Sequence, residues 1–133
     1  MSRAHELKEL LLSLTVRVRE IRGLSLVDRD GLPLVSTLGV GALEEALTAF
    51  GGAMVLQMER AQRDFQMGPL YLAHIVGRDR QIFVAPVTDD ATLVAIVDAH
   101  ATPSTITMHL LGLGRQVLPI LSASDIGLGG QVE

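Results

Sequence analysis

Apolar residues open the chain at Leu7, Leu10, Leu11, Leu14, Val18 and Ile21. Steps of three, four and seven lay them along one stripe, which predicts a helix over about Ala4–Glu20. The period then changes. Leu24, Leu26 and Val27 in "IRGLSLVD" suit a strand, Asp30-Gly31 supplies a pair that accepts positive φ, and "LPLVSTL" reads as a returning strand. The stretch is a β-hairpin. Pro33 cannot donate to a ladder, so the second strand is expected at a sheet edge.

The segment "GVGALEEALTAFGGAMVLQMERAQRDF" follows. Gly39 and Gly41 release the chain from the strand, and Glu44 and Glu45 fall in a first helical turn, where the helix dipole favours acids. Leu43, Leu47, Phe50, Met54, Met58, Ala61 and Phe65 form one stripe, expected to pack on the sheet. Ala46, Ala49, Ala53 and Leu56 form a second stripe beside it. A helix with both could touch its own sheet and another helix at once. Gly51-Gly52 costs about 1 kcal/mol per glycine relative to alanine. The pair implies a kink, close packing on the domain's own sheet, or close approach of a partner backbone.

Three further strands are expected in "MGPLYLAHIVG", "QIFVAPVTDD" and "TLVAIVDAH", turned at Arg78-Asp79-Arg80 and at Asp89-Asp90-Ala91. Ile82, Phe83, Val84 and Val87, and then Leu93, Val94, Ile96 and Val97, are nearly continuous apolar runs. Such strands are covered on both faces, so helices must lie on both sides of the sheet. Thr102-Pro103 starts a last helix, whose stripe is Ile106, Leu110, Leu113, Val117 and Leu121, and Pro119 is expected to end or bend it. The sum is α-β-β-α-β-β-β-α, an α+β chain with a five-stranded, mostly antiparallel sheet. The middle helix crosses one face and the terminal helices are available for the other. Residues 1–121 read as a single domain. Residues 122–133, "SASDIGLGGQVE", carry neither period and read as a flexible tail.

Composition narrows the function classes. The 133 residues carry a net charge of −4, and Glu20, Asp28 and Asp30 interleave with Arg17, Arg19, Arg22 and Arg29. No concentrated basic face for nucleic acid is expected. The chain has no cysteine, which excludes disulfides, thiolate nucleophiles and cysteine-ligated metals. "MSRAHELKELLLSL" is not patterned as a signal peptide, and no run of ~18 apolar residues offers a membrane span, so the expected compartment is the cytoplasm.

Candidate chemistry is sparse. His5, His74, His100 and His109 are the histidines, and Asp98 and His100 share a strand face by parity with His109 on the next helix. They lack the fixed spacing of a metal motif, so no metal is assigned. His74, inside an apolar strand, reads as a hydrogen-bonded core or interface side chain. "LGVG" and "LGLG" are not phosphate loops, since neither continues into Lys-Ser/Thr. Asp89-Asp90 reads as a turn. No cofactor and no catalytic residue is assigned.

"IRGLSLVDRDGLPLVS", the Ala/Gly-rich middle helix and the closing "LVAIVDAHATPSTITMHLLGLGRQV", in this order and spacing, resemble the Roadblock/LC7 family. That family includes dynein light chains and bacterial MglB-like regulators, and the likeness runs from about Glu6 to Leu118. The resemblance implies a profilin-like architecture and a non-enzymatic homodimer. The middle helices would pair antiparallel through Ala46, Ala49, Ala53 and Leu56, and the third strands would join edge to edge at Tyr71, Ala73 and Ile75. Gly68-Pro69 would delay that pairing until after Pro69. Bacterial members typically act with a Ras-like small GTPase, some activating it without an arginine finger, so a GTPase that is regulated or localised is the implied partner. No motif marks the residues that would meet it. The alternatives are a small-molecule sensor of profilin-like fold, with room left by the helix glycines, and a purely structural adaptor.

Overall fold

The computed structural model describes the backbone of residues 2–132 and the side chains of residues 2–123. Along the chain run α1 (Arg3–Arg17), β1 (Ile21–Asp28), β2 (Pro33–Ser36), α2 (Ala42–Asp64), β3 (Ala73–Val76), β4 (Arg80–Thr88), β5 (Ala91–Asp98) and α3 (Pro103–Val132). This is the element order the hydrophobic pattern predicts. The five strands form one sheet in the order β2-β1-β5-β4-β3, and every neighbouring pair is antiparallel. β2, with Pro33, is an edge strand as expected. β3 is the other edge.

Helices cover both faces. α1 and α3 bury Leu7, Leu11, Leu14, Ile106 and Leu110 against Leu24, Leu26, Phe83 and Leu93. On the opposite face α2 sets Leu47 and Met58 against Val27, Val84 and Val94. The alternation explains the continuous apolar runs. In β5, Leu93, Ala95 and Val97 point to the terminal helices while Val94 points to α2. Each residue of such a strand meets an apolar neighbour on one side or the other, so no polar position is needed.

All five predicted stripe residues of α3, Ile106, Leu110, Leu113, Val117 and Leu121, are buried. The Thr102 carbonyl accepts the Ile106 N–H at 3.1 Å and closes its first turn. Pro119 does not end α3, which continues to Val132. Pro119 is exposed, so the Arg115 carbonyl that loses its helical donor lies on the wet side, where water can replace the bond. The flexible tail expected over 122–133 falls mainly on residues whose side chains lie outside the described set, and Glu133 lies outside it altogether.

Candidate interaction surface

The hairpin turn sets the position of α2. Asp28 organises it: its carbonyl accepts the Gly31 N–H at 3.1 Å, its N–H donates to the Leu32 carbonyl at 2.9 Å, and its Oδ1 accepts from the N–H groups of Asp30 and Leu32 at 2.9 and 3.0 Å. Gly31 takes φ +80°, the left-handed conformation such a turn requires. Its backbone then lies directly under α2. A Cβ built on Gly52 would fall 2.8 Å from Gly31 Cα, and one on Gly51 would fall 2.5 Å from Val94 Cγ2. The glycine pair is therefore the place where α2 lies closest to its own sheet and turn. It is not a site of partner approach, and its glycines leave no room for a ligand.

This close seat turns the helix relative to the expected stripe. Leu47 and Met58 are buried as expected, but Thr48, Gly51, Gly52 and Val55 complete the buried face. Leu43 and Phe65 face solvent at 51% and 74% exposure, and Phe65 follows the last helical residue as its C-cap. Arg29 pins the seat from the turn. It donates two hydrogen bonds to the Glu59 carboxylate at 2.6 and 3.0 Å and a third to the Asp89 carbonyl at 3.0 Å. Turn, α2 and the β4–β5 connection are thereby joined, and the Arg29 hydrogen bond holds the Glu59 carboxyl below its ordinary pKa.

With one face pressed on the sheet, α2 presents the other to solvent. Ala46, Ala49 and Ala53 are exposed, and Leu56 is 56% exposed. They form one line along the 23-residue helix, where short side chains allow a second helix to approach to about 8 Å. Of the other candidate residues, Ala73 is half-buried on the α2 side of β3 and Ile75 is 39% exposed. Tyr71 is 75% exposed and precedes β3, which starts only at Ala73. The third strand is thus shorter than its sequence suggested. Gly68 and Gln66 have positive φ, so the chain between α2 and β3 turns before it can pair.

Two polar arrangements were not legible in the sequence. Gln81, 2% exposed, donates from Nε2 to the carbonyls of Asp98, Ala99 and Ala101 at 3.0, 3.2 and 3.0 Å. Its Oε1 thus faces His74, whose Nε2 lies 2.6 Å away. The His74 ring stacks on Phe83 with centroids 4.2 Å apart, so His74 is the hydrogen-bonded side chain its setting suggested. The second arrangement is the pair of Arg22 and Asp98, joined at 2.7 Å from Nε to Oδ1. Asp98 is thereby engaged with a cation, and among the described residues no group of three His, Asp or Glu is placed to hold a metal.

The hydrogen bond from Arg22, with the nearby positive charge of Arg22, His100 and Arg80, lowers the Asp98 pKa against partial desolvation, which raises it. A carboxyl whose folded pKa lies below its unfolded value contributes stability that is complete above the unfolded pKa. That contribution is lost as pH falls through the folded one. Asp98→Asn is therefore expected to lower the urea midpoint at pH ~7 and to flatten its decline between about pH 5 and 2. An unchanged acid limb in Asp98→Asn would remove the pair from the account of acid stability.

A family model for the Roadblock/LC7 domain matches residues 7–97, and the chain belongs to that family. Among solved structures it resembles a Roadblock/LC7 domain from Streptomyces avermitilis at 17% identity and TM-score 0.78, covering 86% of this chain and 97% of that one. Myxococcus xanthus MglB matches at 14% identity and TM-score 0.80, with 92% of each chain covered. More distantly, Acanthamoeba castellanii profilin II matches at 13% identity and TM-score 0.59, over 84% of this chain and 96% of that one. At such identities these likenesses define the fold, which is the Roadblock/LC7, profilin-like architecture. No curated protein sequence matches the chain. Among the described residues no helix is long and apolar enough to cross a membrane.

Proposed function

We propose that this chain works as a homodimer that binds a Ras-like small GTPase in the cytoplasm and regulates or localises it without chemistry of its own. The observation that carries the reading is the two-faced α2. Its Leu47, Gly51, Gly52, Val55 and Met58 are committed to the sheet, and its line of Ala46, Ala49, Ala53 and Leu56 stands exposed and unpartnered within one chain. Membership of the Roadblock/LC7 family supports it. A protein that stabilises one conformation of a partner needs differential affinity for two states, not an acid and a base. GTP hydrolysis depends on positioning and electrostatics that a GTPase can supply once its own loops are arranged. Activation of this kind asks of the regulator only a surface.

The test is capture from the native cell lysate on immobilised protein, once with a GTP analogue and once with GDP, followed by mass spectrometry. Retention of a Ras-like GTPase in one nucleotide state is the expected result, and hydrolysis assays with the purified pair then separate activation from localisation. Capture of non-GTPase proteins alone, in both states, would replace the GTPase reading with that of a structural adaptor.

A further inference from the structure

Three cationic side chains gather at the end of the sheet where β4 begins and β5 ends. Arg80 stands opposite Asp98 in the β4–β5 ladder, Arg22 reaches Asp98 from β1 at 2.7 Å, and His100 follows in the turn after β5. The positive charges of Arg22, His100 and Arg80 all act on the Asp98 carboxyl. They come from separate segments of the chain, so no basic run in the sequence marks them. One carboxylate cannot balance two guanidinium groups, and a positive charge is left over at this end.

The cluster is held in place. Asp98, its side chain only 14% exposed, takes Arg22 through Nε, while the Arg22 side chain is itself 58% exposed. Its terminal nitrogens therefore keep donors for a further partner. Arg80 and His100 are exposed as well. Gln81 fixes the turn that carries His100, by drawing the carbonyls of Asp98, Ala99 and Ala101 to its amide.

That clamp gives the turn a polarity. In a trans peptide the C=O and the following N–H point in opposite directions, and among the described residues no peptide bond is cis. With three carbonyls converging on Gln81, the N–H groups of Ala99, His100 and Thr102 turn away from it, and all three residues are exposed. Gln81 lies on the terminal-helix face with Phe83, whereas Arg80 and Asp98 alternate onto the other face with Ile82 and Ile96. The amides thus turn from the face of Gln81, and outward amides beside guanidinium groups attract an anion.

We propose that Arg22, Arg80 and His100, with the outward amides of the β5–α3 turn, bind a phosphate group. A carboxylate offers two oxygens and one charge, whereas a phosphate group offers three oxygens and about −1.5 to −2 charges at pH 7. Two guanidinium forks and a row of amides exceed what a carboxylate can accept and match the larger oxyanion. The site lies within one chain and needs neither the dimer nor the GTPase inferred above.

Amide NMR shifts of the full chain read the site, in titrations with inorganic phosphate and with acetate at equal ionic strength, both near pH ~7. Phosphate is expected to move the Ala99, His100 and Thr102 amides saturably, while acetate leaves them nearly in place. Arg80→Gln keeps the Arg22–Asp98 bond and should bind phosphate about tenfold more weakly, through the loss of one charge-assisted contact. Arg22→Gln should remove most of the response. Equal shifts with acetate, or phosphate binding unchanged in both variants, would overturn the site. Vesicles containing phosphatidic acid separate the two sources of such a group. Cosedimentation that Arg80→Gln reduces, with no response to free phosphate, would assign the phosphate to a lipid headgroup. No response to either probe would overturn the proposal.

Discussion

Gly52→Ala is expected to destabilise the protein by about 2 kcal/mol, although alanine is the better helix former by about 1 kcal/mol. The added methyl would sit 2.8 Å from Gly31 Cα and 3.0 Å from Gly31 N. Those are backbone atoms of a turn closed by its own hydrogen bonds and held by Arg29 to Glu59, so they cannot swing aside as a side-chain tip could. α2 would have to lift from the sheet along the line where Leu47 and Met58 are buried. Overpacking of this kind costs about 1–3 kcal/mol, and here the upper end applies, which leaves a net loss after the propensity gain. In a domain of this size that is a fall in Tm of roughly 5–10 °C. Gly112→Ala is the matched comparison. Gly112 also lies inside a helix, but a Cβ there meets nothing within 4 Å, so alanine is expected to raise stability by about 0.5–1 kcal/mol. Thermal or urea unfolding of both variants reads the contrast. Equal, small gains in both would mean that α2 does not rest on the turn.

The same glycines explain where the sequence could be read and where it could not. α1 and α3 cover the sheet with large side chains, so their leucines and isoleucines mark the buried face directly. α2 comes closest to the sheet where it has no side chain at all. Hydropathy is silent at Gly51 and Gly52, and a stripe drawn through the large residues is turned toward Leu43 and Phe65, which face water. The line of Ala46, Ala49, Ala53 and Leu56 was nevertheless legible: expected beside the buried stripe, it lies opposite the contact face that the structure shows, and the turn of the helix leaves it exposed. The strand order at the β2 edge was legible from a backbone fact, the missing N–H of Pro33. The extent of β3 was not, since Tyr71 and Leu72 have strand-like side chains and what denies them a ladder is the turn at Gln66 and Gly68. Gln81 was hidden for a different reason. A buried amide in an apolar strand makes sense only beside the carbonyls of Asp98, Ala99 and Ala101, which are far away in sequence and adjacent only through the fold.

Ala49→Glu and Ala53→Glu are expected to convert the proposed dimer to monomer while leaving the single chain folded. Both alanines are exposed within one chain, so a glutamate there meets water and stays clear of the buried face formed by Leu47, Gly51, Val55 and Met58. In an antiparallel α2 pair the same glutamate would be enclosed among alanines and Leu56. An uncompensated carboxylate in such a setting costs about 3 kcal/mol, and two-fold symmetry presents it twice. Roughly 6 kcal/mol is about four orders of magnitude in Kd, enough to dissociate a dimer of nanomolar affinity at micromolar concentration. Light scattering reads the mass and circular dichroism the fold. A halved mass with an unchanged helical spectrum supports the interface. Retention of the dimer by both variants would move that interface off the alanine line, and loss of helical signal would mean that α2 is not free on this side within one chain. Leu43→Glu gives the comparison within the same helix: it is 51% exposed, lies off the line of alanines, and is expected to leave the mass of the dimer unchanged. The effect on mass should therefore follow the alanine line and not surface charge on α2 in general.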